Sequence, residues 1–190
     1  MDMGKLDMSV QGERAKTFLG QLHEKVGKTL LFQSAANQGL ADVMQANGRH
    51  YQTIVEIGTL YGVGAIVLSY YAENVISIDV RDWPERKNVY KWLPAAVKEK
   101  ISCVRVEDND SKARLLRAMN FDFAFVDAGH SELQVAIDWG LVQKCGDVLF
   151  HDYPQSGSGC PGVGLVVDAI KGGTVTISRP FAHWRADACE

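Results

Sequence analysis

The chain has 190 residues, 46% of them hydrophobic and 23% charged, with a formal net charge of −3 at neutral pH. That length supports one core and falls short of the roughly 250 residues at which chains divide into domains. The mild acidity excludes a general pull on nucleic acid, and no apolar run approaches the roughly 20 residues that a membrane span needs.

Residues 1–8 lack the basic and apolar regions of a signal peptide, which suits a cytoplasmic protein. The spacing then predicts a helix over 10–26, with Ala15, Phe18, Leu19, Leu22 and Val26 on one face. A second helix is expected over 37–47, carrying Leu40, Val43 and Met44 and capped at Asn47-Gly48. From residue 49 the pattern changes. Short apolar runs at 53–57, 75–79, 101–106, 122–127 and 146–151 are each followed by a stretch long enough for a helix. Such alternation implies a parallel sheet with helices on both faces. The run Phe123-Ala124-Phe125-Val126 is apolar without a break, as a strand covered on both sides should be. The segment 154–164 is glycine-rich and reads equally as a flap or a connector. Beyond it, 163–171 predicts a helix, and 174–178 with 181–184 a terminal antiparallel hairpin. Trp139 and Trp184 read as core. Cys103, Cys145, Cys160 and Cys189 are scattered without metal-ligand spacing and read as free thiols, mostly in the core.

Two segments carry the chemistry. Residues 54–64 form an apolar run with an acid at Glu56 that breaks into Gly58, Gly62 and Gly64. A buried strand that ends in glycines and feeds a helix lets a ligand approach bare backbone. About twenty residues on, Val75-Ile76-Ser77-Ile78-Asp79 ends in a carboxylate suited to ribose hydroxyls. Together they point to a nucleoside-bearing cofactor. A dinucleotide site would place its glycines as G-x-G-x-x-G under a pyrophosphate. Here the spacing differs, and Glu56 would repel a pyrophosphate while suiting an ammonium. S-adenosylmethionine, with an amino acid end, a sulfonium, a ribose and no phosphate, fits better.

The run Glu56-Ile57-Gly58-Thr59-Leu60-Tyr61-Gly62 resembles motif I of the class I S-adenosylmethionine-dependent methyltransferases, in the form used by small-molecule O-methyltransferases of the catechol type. Those enzymes often read E-x-G-x-x-x-G-x-S, and this chain departs from them at Gly64. The resemblance implies a Rossmann-like α/β fold over residues 1–190, as a single domain. Helices occupy 1–48, the cofactor-binding core occupies 49–190, and the sheet has about seven mostly parallel strands ending in an antiparallel pair. It implies that Glu56, Gly58, Thr59, Tyr61, Gly62 and Asp79 hold the cofactor. Val80 would lie against the adenine, and the acidic Glu107-Asp108-Asn109 would face the adenine edge.

The reacting end is expected where Asp127-Ala128-Gly129-His130 and His151-Asp152-Tyr153 close two buried runs. These resemble the F-I-D-G-D-H-S-Y and later H-D segments of sugar and macrolide O-methyltransferases, some of them metal-dependent. The resemblance gives Asp127 to both cofactor and metal, Asp152 to a divalent ion (Mg²⁺ or Mn²⁺), and His130 or His151 to the base role. His151 stands where metal-dependent relatives have a carboxylate, which weakens the case for Mg²⁺. A histidine near its ordinary pKa of ~6.5 suits a base at neutral pH. Tyr153 is expected to border the acceptor. The segment from Arg81 to Trp92 reads as a solvated helix face that could also meet an anionic acceptor. Asp127-Ala128-Gly129-His130 also lacks the N/D-P-P-Y pattern that grips an exocyclic amine, which argues against nucleic-acid base methylation. The expected partner is therefore a small hydroxylated acceptor, such as a sugar or glycoside, with no nucleic acid and no membrane. Self-association is open. A catalytically silent, cofactor-binding partner subunit is the competing reading.

Overall fold

The apolar runs become seven strands of one sheet. They are β1 (Tyr51–Ile57), β2 (Ala72–Asp79), β3 (Ile101–Arg105), β4 (Phe123–Val126), β5 (Asp147–Phe150), β6 (Gly173–Ser178) and β7 (Phe181–Ala186). The computed structural model describes residues 7–26, 31–154 and 160–187, and of 31–36 the backbone alone. Strand order is β3-β2-β1-β4-β5-β7-β6. The first five strands pair in parallel, and β7 runs antiparallel to both β5 and β6. Expected and observed architectures agree in strand number and in the antiparallel end.

Boundaries moved where polar residues extend a ladder. β1 begins at Tyr51 and β2 at Ala72, which pair with each other ahead of the apolar runs. Asp122 pins the register of β1 against β4, its carboxylate accepting from the backbone N–H groups of Gln52 and Thr53 at 2.9 and 2.8 Å.

Helices cover both faces. On one side lie α1 (Met8–Val26), α2 (Leu31–Asn47), α3 (Val63–Leu68) and α4 (Pro84–Tyr90), followed by the single turn α5 (Ala95–Lys98). On the other lie α6 (Asn109–Ala118), α7 (Glu132–Val142) and α8 (Pro161–Ala169). In β4, Phe123 and Phe125 join the core under α1–α4, while Ala124 and Val126 join the core under α6–α8. Both faces are dry, so the strand needs no polar positions. Truncating a fully buried aromatic such as Phe123 costs about 3–5 kcal/mol in cores of this kind. α1 buries Gly12, Ala15, Leu19 and Leu22, the i, i+3, i+7 stripe of an amphipathic helix. α2 begins at Leu31, six residues before its apolar spacing becomes visible. It ends at Gly48, whose φ of 68° lets its N–H reach back to the carbonyls of Met44 and Gln45.

Strand order reverses between β1 and β4. Their following helices therefore leave on opposite faces and open a crevice at the carboxyl ends of the strands. The opposite edge is closed by Asp147, which accepts from Tyr51 Oη at 2.9 Å and Arg49 at 3.2 Å and meets His183. Cys103 lies exposed on the edge strand β3, and Cys145 and Cys160 are half-buried. Cys145 and Cys160 pack against the core, while Cys103 departs from the expected core placement because an edge strand covers its residues on fewer sides. Cys189 and part of the glycine-rich segment, 155–159, lie outside the described residues.

Candidate active site

The turn after β1 is built around glycines that no other residue could replace. Gly58 has φ 99°, and a Cβ there would lie 2.0 Å from the Asp127 carbonyl oxygen. Bare backbone is thus what lets the β1 turn pass the end of β4. Gly62 has φ 80°, opens α3 and faces the Tyr90 ring; it does not line the crevice. Gly64 explains the departure from the catechol-type motif. A Cβ at that position would stand 2.2 Å from Glu56 Oε1, so its absence makes room for the acid.

Glu56 is 1% exposed, yet it borders the crevice. Burial pushes its pKa up to about 8; Ser77 Oγ donates to it and opposes that rise, while the charges of Asp127 and Asp79 add to it. No cation forms a salt bridge with it among the described residues, and the charge of Arg86 offsets the rise only in small part. A dry carboxylate with no counter-charge is costly, and a ligand bearing an ammonium would supply the missing partner.

Asp79 ends β2 and ties the glycine turn to it. Its Oδ2 accepts from the N–H groups of Thr59 and Leu60 and from Trp83 Nε1, each at 3.0 Å, and Oδ1 accepts from Arg81 N–H at 2.9 Å. Thr59 is buried, with its hydroxyl 2.6 Å from Ser77 Oγ. Tyr61 and Trp83 meet edge to face across 6.0 Å, and both line the crevice. Val80 is 53% exposed and lines the crevice as well. Asp108 is placed elsewhere. It caps α6 through a reciprocal bond with Ser111, and Val106 and Asn109 take the crevice wall instead. An aspartate three residues before a serine is a helix-start signal, and capping won over ligand contact.

The four side chains expected at the reacting end, Asp127, His130, His151 and Asp152, lie together. His151 Nδ1 donates to Asp127 Oδ1 at 3.0 Å and lies 3.4 Å from Asp152 Oδ2. His130 Nε2 lies 2.9 Å from Asp152 Oδ2 and 4.0 Å from Asp127 Oδ1. Asp152 adopts a left-handed φ of 57°, which an aspartate tolerates better than most residues. These contacts correct the expectation of an ordinary histidine. Hydrogen bonds to Asp127 and Asp152 raise the His130 pKa to about 10. Burial opposes the same rise in His151, but the two carboxylates overcome it, again to about 10. Asp152 is held well below the usual carboxylate range by the two imidazoles. Asp127 is also lowered, its burial outweighed by the same hydrogen bonds. Two imidazoliums thus face two carboxylates at neutral pH. His151 Nε2 is buried with no partner among the described residues. Tyr153 turns away, its hydroxyl donating to Asp168 at 2.8 Å, and it does not line the crevice.

The crevice between these ends encloses about 1050 Å³. Small-molecule sites commonly hold about 300–1,000 Å³, so a nucleoside cofactor and a second small molecule can share it. Leu40, Phe125, Pro180 and Phe181 give it an apolar wall beside the histidines. The sequence reading missed that wall, along with Lys112 and Gln134 at the far end. Lys112 is 4% exposed and paired with the fully buried Asp138, which also accepts from Gln134 at 3.1 Å. These residues come from distant segments and carry no motif; only helix packing brings them here.

No protein-family model matches the chain, and no curated protein matches it in sequence. Solved structures do. An O-methyltransferase from Bacillus cereus in complex with S-adenosylhomocysteine superposes with a TM-score of 0.59 at 16% identity, over 88% of this chain and 91% of that one. The O-methyltransferase TomG from Streptomyces achromogenes, involved in tomaymycin synthesis and bound to S-adenosylmethionine, gives 0.57 at 16% identity, over 91% and 90%. The N-methyltransferase NodS from Bradyrhizobium japonicum gives 0.51 at 15% identity, over 82% and 96%. The fold is that of the class I methyltransferases. At these identities the likeness speaks for the fold alone, and the site has to carry the rest.

Proposed function

We propose that this protein transfers a methyl group from S-adenosylmethionine to a hydroxyl of a small molecule. The observation that carries the reading is Glu56, a buried carboxylate without a counter-cation at the base of a crevice that also presents Asp79 and bare glycine backbone. The donor set fits the cofactor: a carboxylate for the ammonium, an acid for the ribose, an exposed Val80 for the adenine, and no cationic cradle for phosphate. The cofactor supplies a methyl group already activated by a sulfonium.

The chain's own task is to orient the acceptor and remove its proton. A neutral amine offers its lone pair unaided, whereas a hydroxyl must lose a proton. A cluster of two histidines and two aspartates beside the methyl position therefore favours oxygen as acceptor. The wall formed by Leu40, Phe125, Pro180 and Phe181 favours a hydroxyl carried on an apolar frame over a free sugar. Asp127 and Asp152 are the residues that would hold a divalent ion, which would supply Lewis acidity to the acceptor oxygen. In the site without an ion, His130, the more exposed of the two imidazoles, takes the acceptor proton at Nε2 once it has released its own. His151, buried behind it, orients Asp127 and Asp152.

A second reading draws on the same cluster. With both imidazoles holding protons, a silent cofactor-binding subunit needs no further change. Calorimetry with S-adenosylhomocysteine tests what the readings share, and labelled methyl transfer to a panel of hydroxylated aromatics and glycosides separates them. Binding together with transfer supports the enzyme, binding without transfer supports the silent subunit, and no binding removes both.

A further inference from the structure

The geometry points to a transition-metal site of mixed sulfur, nitrogen and oxygen ligands at the reacting end, with Cys160 as a ligand. It deepens the methyl-transfer reading and rests on that reading only for what the ion would do there; the site stands on His130, Asp152 and Cys160. Asp127, His151 and Asp152 place one ligand atom each within 4.8 Å of one another, and so do His130, Asp152 and Cys160. The two groups share Asp152, and the one that holds Cys160 offers sulfur, nitrogen and oxygen from three side chains. A tetrahedral ion with ligand bonds of 2.0–2.3 Å separates its ligands by about 3.3–3.7 Å. The His130–Asp152 contact of 2.9 Å already lies close to that spacing.

Cys160 is held there by the fold. It is the N-cap of α8, and its N–H donates to the Asp152 carbonyl at 3.4 Å. Two residues on, Gly162 packs so tightly that a Cβ would lie 2.4 Å from the His130 carbonyl oxygen. The first turn of α8 is thereby seated on the turn that carries His130. A lone cysteine in a sequence signals nothing; here it is grouped with the His130 imidazole and the Asp152 carboxylate.

The donor types set the ion. Mg²⁺ prefers an all-oxygen shell, and only one of these three side chains offers oxygen. Thiolate with imidazole and carboxylate suits Zn²⁺ and its spectroscopic substitute Co²⁺. The site is thus a zinc-class centre on a fold whose Mg²⁺ chemistry would need different side chains.

The test uses the full chain, stripped with a chelator and titrated with Co²⁺, Zn²⁺ and Mg²⁺. Co²⁺ is expected to give visible d–d bands with a near-ultraviolet sulfur-to-cobalt charge-transfer band, and Mg²⁺ to bind at least a hundredfold more weakly than Zn²⁺. Cys160→Ser, a small change at a half-buried position, should abolish the charge-transfer band, retain d–d bands and weaken Co²⁺ binding at least tenfold. Asp152→Asn, which alters the shared ligand, should weaken both features. Absence of Co²⁺ binding, an unchanged Cys160→Ser spectrum, or Mg²⁺ bound as tightly as Zn²⁺ would overturn the assignment. Binding of S-adenosylhomocysteine is measured in parallel. Its loss would remove the methyl-transfer reading and leave the metal site standing, while cofactor binding without Co²⁺ spectra would do the reverse.

Discussion

Glu56 is where binding and stability pull in opposite directions. With a pKa of about 8 it carries a proton at pH 7, and pairing with the cofactor ammonium expels that proton. Calorimetry of S-adenosylhomocysteine binding at pH 7 in buffers of different ionisation enthalpy should therefore show release approaching one proton per site. Glu56→Gln keeps the shape and removes the charge. It should show no proton release and bind about 10- to 150-fold more weakly, the loss of one charge-assisted hydrogen bond worth about 1.5–3 kcal/mol. Yet it should be more stable than the parent at pH 9, where the parent must bury a carboxylate. The histidines add a pH dependence of the same sign. The folded state holds protons that the unfolded chain releases, from about 4.5 to 8 for Glu56 and from 6.5 to about 10 for His130 and His151. Stability should fall as pH rises through those windows, and His130, two-fifths exposed, should contribute less because solvent screens it. Urea unfolding midpoints are expected to be higher at pH 6 than at pH 9.5; equal midpoints would contradict the charge assignment.

Between elements, two contacts do most to hold the crevice open in the right shape. The first is the passage of the β1 turn under the end of β4. Gly58→Ala meets both a positive φ and the Asp127 carbonyl, so it should cost about 3 kcal/mol or more in chemical denaturation and disturb both ends of the site together. The second is the Lys112–Asp138 pair, which clamps α6 to α7 behind the crevice. Lys112→Met leaves Asp138 charged and dry, at a cost of about 3–5 kcal/mol. The double variant Lys112→Met, Asp138→Leu should recover most of that loss, because two apolar side chains need no partner. If the double variant were as unstable as the single one, the loss would lie in packing and the ion pair would be incidental.

At the scale of the molecule, the strand order builds one crevice at the reversal between β1 and β4 and makes its occupant a stabiliser of the whole fold. S-adenosylhomocysteine at a hundredfold excess over its Kd adds about 2.7 kcal/mol, which for a chain of this size raises Tm by roughly 5–10 °C. NAD should raise it by nothing measurable, since its pyrophosphate would face Glu56 and Asp79. The reverse result would refute the cofactor assignment.

The sequence by itself determined the architecture and marked the strand ends that come to border one crevice. Periodicity and glycine placement act over a few residues, so Glu56, Gly58 and Asp79 could be read as a pattern, as could the acid-histidine pairs that close two buried strands. Tertiary structure alone decided their state. Proximity turned two ordinary histidines into imidazoliums pinned between carboxylates, and it assigned Asp108 to a helix cap. It also walled the crevice with Leu40 and Phe181 and seated Cys160 beside His130. Protonation, ligation and pocket polarity depend on distances between segments far apart in the chain, and no local spacing encodes those distances.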